Sequence, residues 1–137
     1  MKSFALKDIH VLRVDQDEEV LSEIIRACEE KGIRSAVLLG LGLLYKCKIA
    51  FFDPDKQIYR TMEIGEPLEL ASLIGNVSLK EGKPFAHVHV VLGSENRTVA
   101  GHLVEGYVAG TAEIMIFELE GELVRNIISG GLVLLNV

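Results

Sequence analysis

The sequence PFAHVHVVLGSENRTVAGHL, residues 84–103, contains two runs of apolar residues on either side of a short polar segment. Apolar residues with β-branched side chains at a spacing of two are typical of β-strands, and SENR, residues 94–97, is typical of a turn. The stretch therefore predicts a β-hairpin. Because side chains alternate between the two faces of a strand, His87 and His89 share one face, and Val88 lies on the other.

Upstream of this hairpin, DQDEEVLSEIIRACEEKG, residues 15–32, predicts the main helix of the chain. We expect Asp15 or Asp17 to cap its start, and Gly32 to end it in the left-handed conformation. Residues at helical spacing form one apolar face: Val20, Leu21, Ile24, Ile25 and Cys28.

The rest of the chain predicts strands at hairpin spacing, with breaks at the glycines of SAVLLGLG and a short helical or bent entry after Pro67. The predicted strands cover residues 4–14, 35–42, 45–53, 57–64, 68–79, 84–93, one or two strands within 98–121, and 126–137. This order indicates an α+β fold with a mostly antiparallel or mixed sheet. We expect the apolar last six residues, LVLLNV, to pair in the sheet or to pack in a subunit interface.

The composition indicates one globular domain, residues 1–137, in the cytoplasm. Apolar residues make up 49% of the chain and charged residues 25%. The net charge of −6, with scattered basic residues, argues against direct binding to nucleic acid. The first ten residues lack the apolar stretch of a signal peptide, and the longest apolar run, AVLLGLGLLY, is too short to span a membrane. Cys28 and Cys47 are expected to be reduced core thiols.

Three of the four histidines lie in the predicted hairpin. His87 and His89 are about 6.5 Å apart at strand rise, and the turn brings His102 opposite them. Three neutral imidazoles suit Zn²⁺ and leave a fourth position for water or a ligand. The alternative is that the three rings only form hydrogen bonds. His10, far upstream, is interpreted as a structural or surface residue.

Two further residues bear on this site. Gly101 indicates a bulge or a close backbone approach, and either would change the direction of His102. Glu113 is a carboxylate among apolar strand residues, and it is a candidate to orient a histidine or to act as a base. The other interpretation places Glu113 on the exposed face of its strand.

The chain resembles the PPC (plants and prokaryotes conserved) domain over essentially its full length. The resemblance lies in KGIRSAVLLGLGLLYKCKIAFFD, in EPLELASLIGNVSLKEGKPFAHVHVVLG and in AGHLVEGYVAGTAEIMIF, with Ala100 in place of a glycine usual before GHL. It implies an α+β fold that assembles as a homotrimer. Plant members carry an AT-hook that binds DNA, and the chain contains no such motif. A DNA-binding label would therefore be inherited from plant relatives.

The PPC fold is in turn similar to that of acetolactate decarboxylase, in which an H-x-H pair and a later histidine hold zinc. This resemblance implies metal binding by His87, His89 and His102, but it does not carry over the decarboxylation, because fold similarity is a poor guide to reaction. Three hypotheses follow, of which direct DNA binding by a small regulator is disfavoured by the net charge of −6 and by the scattered basic residues. The first is a non-enzymatic homotrimeric module with a metal site that binds a small ligand or a protein partner. The second is a zinc-dependent enzyme acting on a small polar or carboxylate substrate.

Overall fold

Eight β-strands and one α-helix form the secondary structure of the residues that this computed structural model describes, 1–128 and 132–137. The architecture is α+β, as predicted. Residues 129–131 of the predicted last strand lie outside the described residues. The elements are β1 (Leu6–Asp15), α1 (Val20–Lys31), β2 (Ala36–Asp53), β3 (Ile58–Ile64), β4 (Leu68–Lys80), β5 (Lys83–Gly93), β6 (Thr98–Leu119), β7 (Val124–Ile127) and β8 (Val133–Leu135).

The strands form one sheet in the order β3-β2-β6-β5-β4-β7-β8, with β1 paired to β6. Because β2 pairs with both β6 and β4, and β5 also pairs with both, these four strands form a closed circuit of neighbours. Every pairing is antiparallel except that of β4 with β7, so the sheet is mixed. Strand β8, which lies within the apolar last six residues, pairs with β7 in the sheet. This confirms one of the two expectations for that segment.

The two faces of the sheet differ because the side chains alternate along each strand. The inner face carries the hydrophobic core, which includes Leu38, Val88 and Ile114 and packs against Ile24 and Cys28 of α1. Both cysteines are buried and free, as expected. The residues between the core positions form the outer face, which carries the three hairpin histidines.

The predicted helix cap is wrong, because neither Asp15 nor Asp17 caps α1. Strand β1 continues to Asp15, and Asp17 lies in the following turn at a φ of 67°. Glu19 is the N-cap, and its carboxylate accepts hydrogen bonds from the backbone N–H groups of Leu21 and Ser22. The predicted end is confirmed, since Gly32 is left-handed at a φ of 69°. Among the described residues, no helix has the length and apolar character needed to cross a membrane.

The predicted break of the strand at the glycines of SAVLLGLG is also wrong. Strand β2 is continuous, although its register with β4 shifts between Gly40 and Gly42 and its register with β6 shifts at three places between Gly42 and Ile49. A Cβ atom at Gly42 would lie 2.6 Å from Cα of Ala112, so this glycine permits a close approach of β2 to β6. Strand β4 begins directly after Pro67 without the helical entry that was one of the two expectations, and its register with β5 shifts near its start, between Leu70 and Ser72. The stretch predicted as one or two strands after residue 97 is the single strand β6.

Candidate metal centre

The β5–β6 hairpin brings His87, His89 and His102 together on the outer face. His89 and His102 are direct partners in the antiparallel register, and His87 lies two residues before His89 on the same face. Nε2 of His87 lies 3.2 Å from Nδ1 of His102 and 3.2 Å from Nε2 of His89. One ring nitrogen from each histidine lies within 4.8 Å of the other two. The predicted gathering of the three imidazoles is therefore present.

These distances fit a divalent metal ion. Zn–N bonds of about 2.0–2.1 Å in a tetrahedron place neighbouring nitrogens about 3.3–3.4 Å apart, close to the two spacings of 3.2 Å. Burial, followed by the charges of Arg125 and of the other two histidines, lowers the pKa of His87 to about 4. Burial, and after it the charge of His89, also lowers the pKa of His102. His87 and His102 are therefore neutral at pH 7, which is the form that coordinates a metal.

Two glycines allow neighbouring strands to approach each other closely and so help to position these side chains. A Cβ atom at Gly75, in β4, would lie 2.2 Å from the carbonyl oxygen of His87. A Cβ atom at Gly101, next to His102, would lie 2.8 Å from the carbonyl oxygen of Ala50 in β2. Gly101 thus marks a close backbone approach, which is one of the two expectations for this position.

A cavity of about 730 Å³ opens beside the histidines. His87 and His102 line it, together with the polar side chains of Thr61 and Asn76 and the guanidinium of Arg125. The remaining wall is mostly apolar or aromatic, so the cavity suits a small organic molecule with a few polar groups. These other wall residues are Ala50, Tyr59, Phe85, Val104 and residues 132–135.

Arg125 is the residue that the sequence analysis missed. It lies in the short strand β7 and donates from Nη2 to Nδ1 of His87 at 3.1 Å. The same nitrogen donates to Oδ1 of Asn76 at 2.9 Å. In the sequence, Arg125 is marked only as a basic residue that follows two apolar ones in LVRNII. Such a pattern is also common at exposed strand positions.

The other candidate residues lie apart from the histidine cluster. Glu113 is exposed, and it follows His102 by eleven residues on β6, which corresponds to about 35 Å at strand rise. The structure therefore places Glu113 on the exposed face of its strand. His10 contacts Glu118, with 3.0 Å between Nε2 and the carboxylate, and the same carboxylate pairs with Lys7.

Comparison with known protein families gives one match over most of the chain. Residues 1–120 match the model of the Plants and Prokaryotes Conserved (PCC) domain, the family also written PPC. No curated protein sequence matches the chain closely enough to count as a relative.

Several solved structures share the whole fold. A plant- and prokaryote-conserved protein of Pyrococcus horikoshii is 41% identical with a TM-score of 0.93, and the match covers 100% of this chain and 96% of that one. A protein of Archaeoglobus fulgidus described as metal-containing is 35% identical with a TM-score of 0.92, over 98% and 99% of the two chains. A protein of Bacteroides thetaiotaomicron, provisionally described as DNA-binding, is 23% identical with a TM-score of 0.89, over 97% and 96%.

The similarity to acetolactate decarboxylase is also present, at the level of the fold. The enzyme of Bacillus subtilis matches with a TM-score of 0.58 at 11% identity, and the match covers 86% of this chain and 54% of the enzyme. At this identity the comparison concerns the arrangement of the strands and carries no information about the reaction.

Proposed function

The chain belongs to the plants and prokaryotes conserved domain family, and from this premise we propose that it is a metal-binding, homotrimeric member with a cavity for a small ligand. In this proposal His87, His89 and His102 hold one Zn²⁺ ion. The protein is a single domain that works in the cytoplasm and binds a ligand or partner without catalysing a reaction. Because the chain has a net charge of −6, we propose no direct contact with nucleic acid.

The observation that carries the metal site is the spacing of the ring nitrogens. Three imidazoles from two paired strands bring one nitrogen each within 4.8 Å of the other two, and two of the separations, at 3.2 Å, are close to those of a tetrahedral zinc site. The metal-containing description of the Archaeoglobus fulgidus protein, which shares 35% of its residues with this chain, supports the same conclusion.

The proposed trimer is supported by the outer face of the sheet. The register aligns Val11, Met115, Leu39 and Ile74 in one row across four strands, and the row ends at His89. Val11 is 69% exposed, Leu39 42% and Ile74 57%. We call this row the outer apolar row. A contiguous apolar surface of this kind is typical of an interaction site, and a symmetric oligomer would bury it.

A second candidate function is metal-dependent catalysis, and the cavity beside the histidines favours it. Three protein ligands leave one coordination position of zinc open, as catalytic sites do. A bound Zn²⁺ would polarise an oxygen of a substrate or lower the pKa of a bound water molecule. The cavity would then hold a small polar or carboxylate substrate against His87 and His102.

The test is elemental analysis of protein purified without a histidine tag, combined with its mass in solution. We expect about one zinc per chain and a mass three times that of the chain. His87→Ala should lose the metal, whereas His10→Ala, a histidine outside the cluster, should retain it. Wild-type protein that contains no metal and takes up none on addition of Zn²⁺ would disprove the metal site, and a monomer at micromolar concentration would disprove the trimer.

A further inference from the structure

Arg125 is a buried cation with an exposed fraction of 7%. Among the described residues, its nitrogens form hydrogen bonds only with neutral groups. Among residues 1–128 and 132–137, no aspartate or glutamate forms an ion pair with it. Buried charges are normally paired, because the loss of hydration is costly. The cavity wall therefore carries a positive charge that nothing in the described part of the chain neutralises.

The hydrogen bonds of Arg125 fix the orientation of its guanidinium and leave an N–H donor unused. Nε donates to Oγ of Ser78 at 2.9 Å, and Nη1 donates to the carbonyl oxygen of Val133 at 3.3 Å. Nη2 donates to Asn76 at 2.9 Å and to His87 at 3.1 Å. A guanidinium has five N–H groups, so one N–H of Nη1 has no acceptor among the described residues.

Metal binding would release a second donor. An imidazole that coordinates through Nε2 carries its proton on Nδ1, and Nδ1 of His87 then no longer accepts from Arg125. A guanidinium has no acceptor to offer that proton in return. Nη2 of Arg125 and Nδ1 of His87 would then be two donors 3.1 Å apart with no acceptor between them, a pair that an oxygen of a bound carboxylate would satisfy.

From these contacts we propose that Arg125 binds the carboxylate of a small organic acid in the cavity beside the histidines. The proposal rests on the metal site of the proposed function and names the ligand class of that site. The walls around Arg125, such as Phe85 and Val133, suit the carbon part of such an acid. Inorganic phosphate fits less well, because it has no carbon part to contact the mostly apolar walls.

The test is calorimetric titration of zinc-loaded, full-length protein with succinate, with its neutral counterpart succinamide, and with inorganic phosphate. We expect succinate to bind at least about tenfold more tightly than either of the others, because only succinate offers both a carboxylate for a charge-assisted pair with Arg125 and a carbon chain for the apolar walls. Arg125→Met should weaken succinate binding at least about tenfold with the zinc content unchanged. Arg97→Met removes a half-exposed arginine paired with Glu66 and is the matched control.

Because Arg125→Met leaves Asn76 and Ser78 without their partner, a second measurement covers the case in which this variant does not fold. In zinc-loaded wild-type protein labelled with ¹⁵N, succinate should shift the side-chain resonances of Arg125, and succinamide should not. An unshifted Arg125 resonance under saturating succinate would overturn the proposal, as would equal succinate affinity in wild type and Arg125→Met.

The same titration separates this proposal from the metal site. Equal succinate affinity in wild type and variant, in protein that retains zinc, would reject Arg125 and leave the metal site intact. Protein that cannot be loaded with zinc would reject the metal site. If the unloaded wild-type protein binds succinate and Arg125→Met abolishes that binding, the role of Arg125 is still supported. If the unloaded wild-type protein binds no succinate, both the metal site and the role of Arg125 are rejected.

Discussion

Gly75 lies so close to His87 that a Cβ atom added to Gly75 would stand 2.2 Å from the carbonyl oxygen of His87. The same Cβ would lie 3.0 Å from Cα of Val88. Gly75 is the register partner of Val88, and its missing side chain allows β4 to approach β5 at this position. The separation of these two strands in turn sets the position of the His87 ring, so the glycine contributes to the geometry of the histidine cluster.

Gly75→Ala should therefore disturb both the sheet and the histidine cluster. Backbone atoms cannot move aside as the end of a flexible side chain can, so β4 and β5 must separate, and we expect a loss of about 1–3 kcal/mol of unfolding free energy. Zinc affinity should fall with it, because His87 moves with its strand. Denaturant unfolding and competition with a chelator measure the two effects. Gly65→Ala is the matched control, since a Cβ at Gly65 meets no atom within 4 Å.

Zinc should stabilise the folded protein if His87, His89 and His102 hold it. A ligand that binds only the folded state, at 100 times its dissociation constant, adds about 2.7 kcal/mol. For a chain of 137 residues this corresponds to a rise of about 9 °C in Tm. A chelator should reverse the rise. His89→Ala should show a much smaller rise, and because His89 is exposed its own truncation should cost the metal-free protein little. An equal zinc effect in His89→Ala would contradict this ligand set.

The histidine cluster could be predicted from the sequence because its geometry is local. A short turn fixes the register of a hairpin, so the spacing of His87, His89 and His102 along the chain largely determines which face they share and which residues they oppose. Arg125 could not be predicted in this way. It reaches His87 because β7 pairs in parallel with β4, and such a pairing of distant segments has no turn to fix its register.

The failures of prediction have a similar origin. Asp17 has the side chain of a helix cap, but the path of the chain from β1 places it in a turn, and Glu19 takes the cap position instead. Gly42 weakens a strand when it is considered alone, yet the long strand β6 packs so closely against it that glycine becomes a requirement. In both cases tertiary packing decides between options that the local sequence leaves open.

The acid stability of the fold should depend on Glu118. Glu118 is 6% exposed, and its carboxylate accepts a hydrogen bond from Lys7 at 2.8 Å and contacts His10 at 3.0 Å. The hydrogen bond from Lys7, followed by that from His10, lowers the pKa of Glu118. Because this pKa is lower in the folded state than in the unfolded state, the stabilisation is complete above the ordinary glutamate pKa of about 4.3 and is lost as the pH falls through the folded value.

Glu118→Gln should therefore reduce the free energy of unfolding at pH 7 by about 1–3 kcal/mol and weaken its dependence on pH below about 4.5. Urea unfolding at pH 7 and pH 3.5 measures both effects. Glu113→Gln changes an exposed carboxylate on the same strand and should leave both quantities within about 0.5 kcal/mol of wild type. A Glu118→Gln variant with the wild-type pH profile would show that the carboxylate does not gain stability from Lys7 and His10.

Charge introduced into the outer apolar row should dissociate the proposed trimer. Leu39 and Ile74 are register partners at the centre of the row, and a lysine at either position would have to lose its hydration wherever a second copy covers the row. We expect Leu39→Lys and Ile74→Lys to sediment at a third of the wild-type mass at micromolar concentration, with the secondary structure intact by circular dichroism. Both side chains point away from the core, so the fold itself should tolerate the change.

Ile58→Lys is the control for this experiment. Ile58 is 49% exposed, a fraction similar to that of Leu39, but it lies in β3 outside the row. Its change to lysine should leave the mass of the assembly unaltered. Because the row ends at His89, a monomeric Leu39→Lys variant also shows whether the histidines need a neighbouring copy. Retention of zinc by that monomer means that one chain holds the ion alone, and a trimeric Leu39→Lys variant means that the copies meet through a different surface.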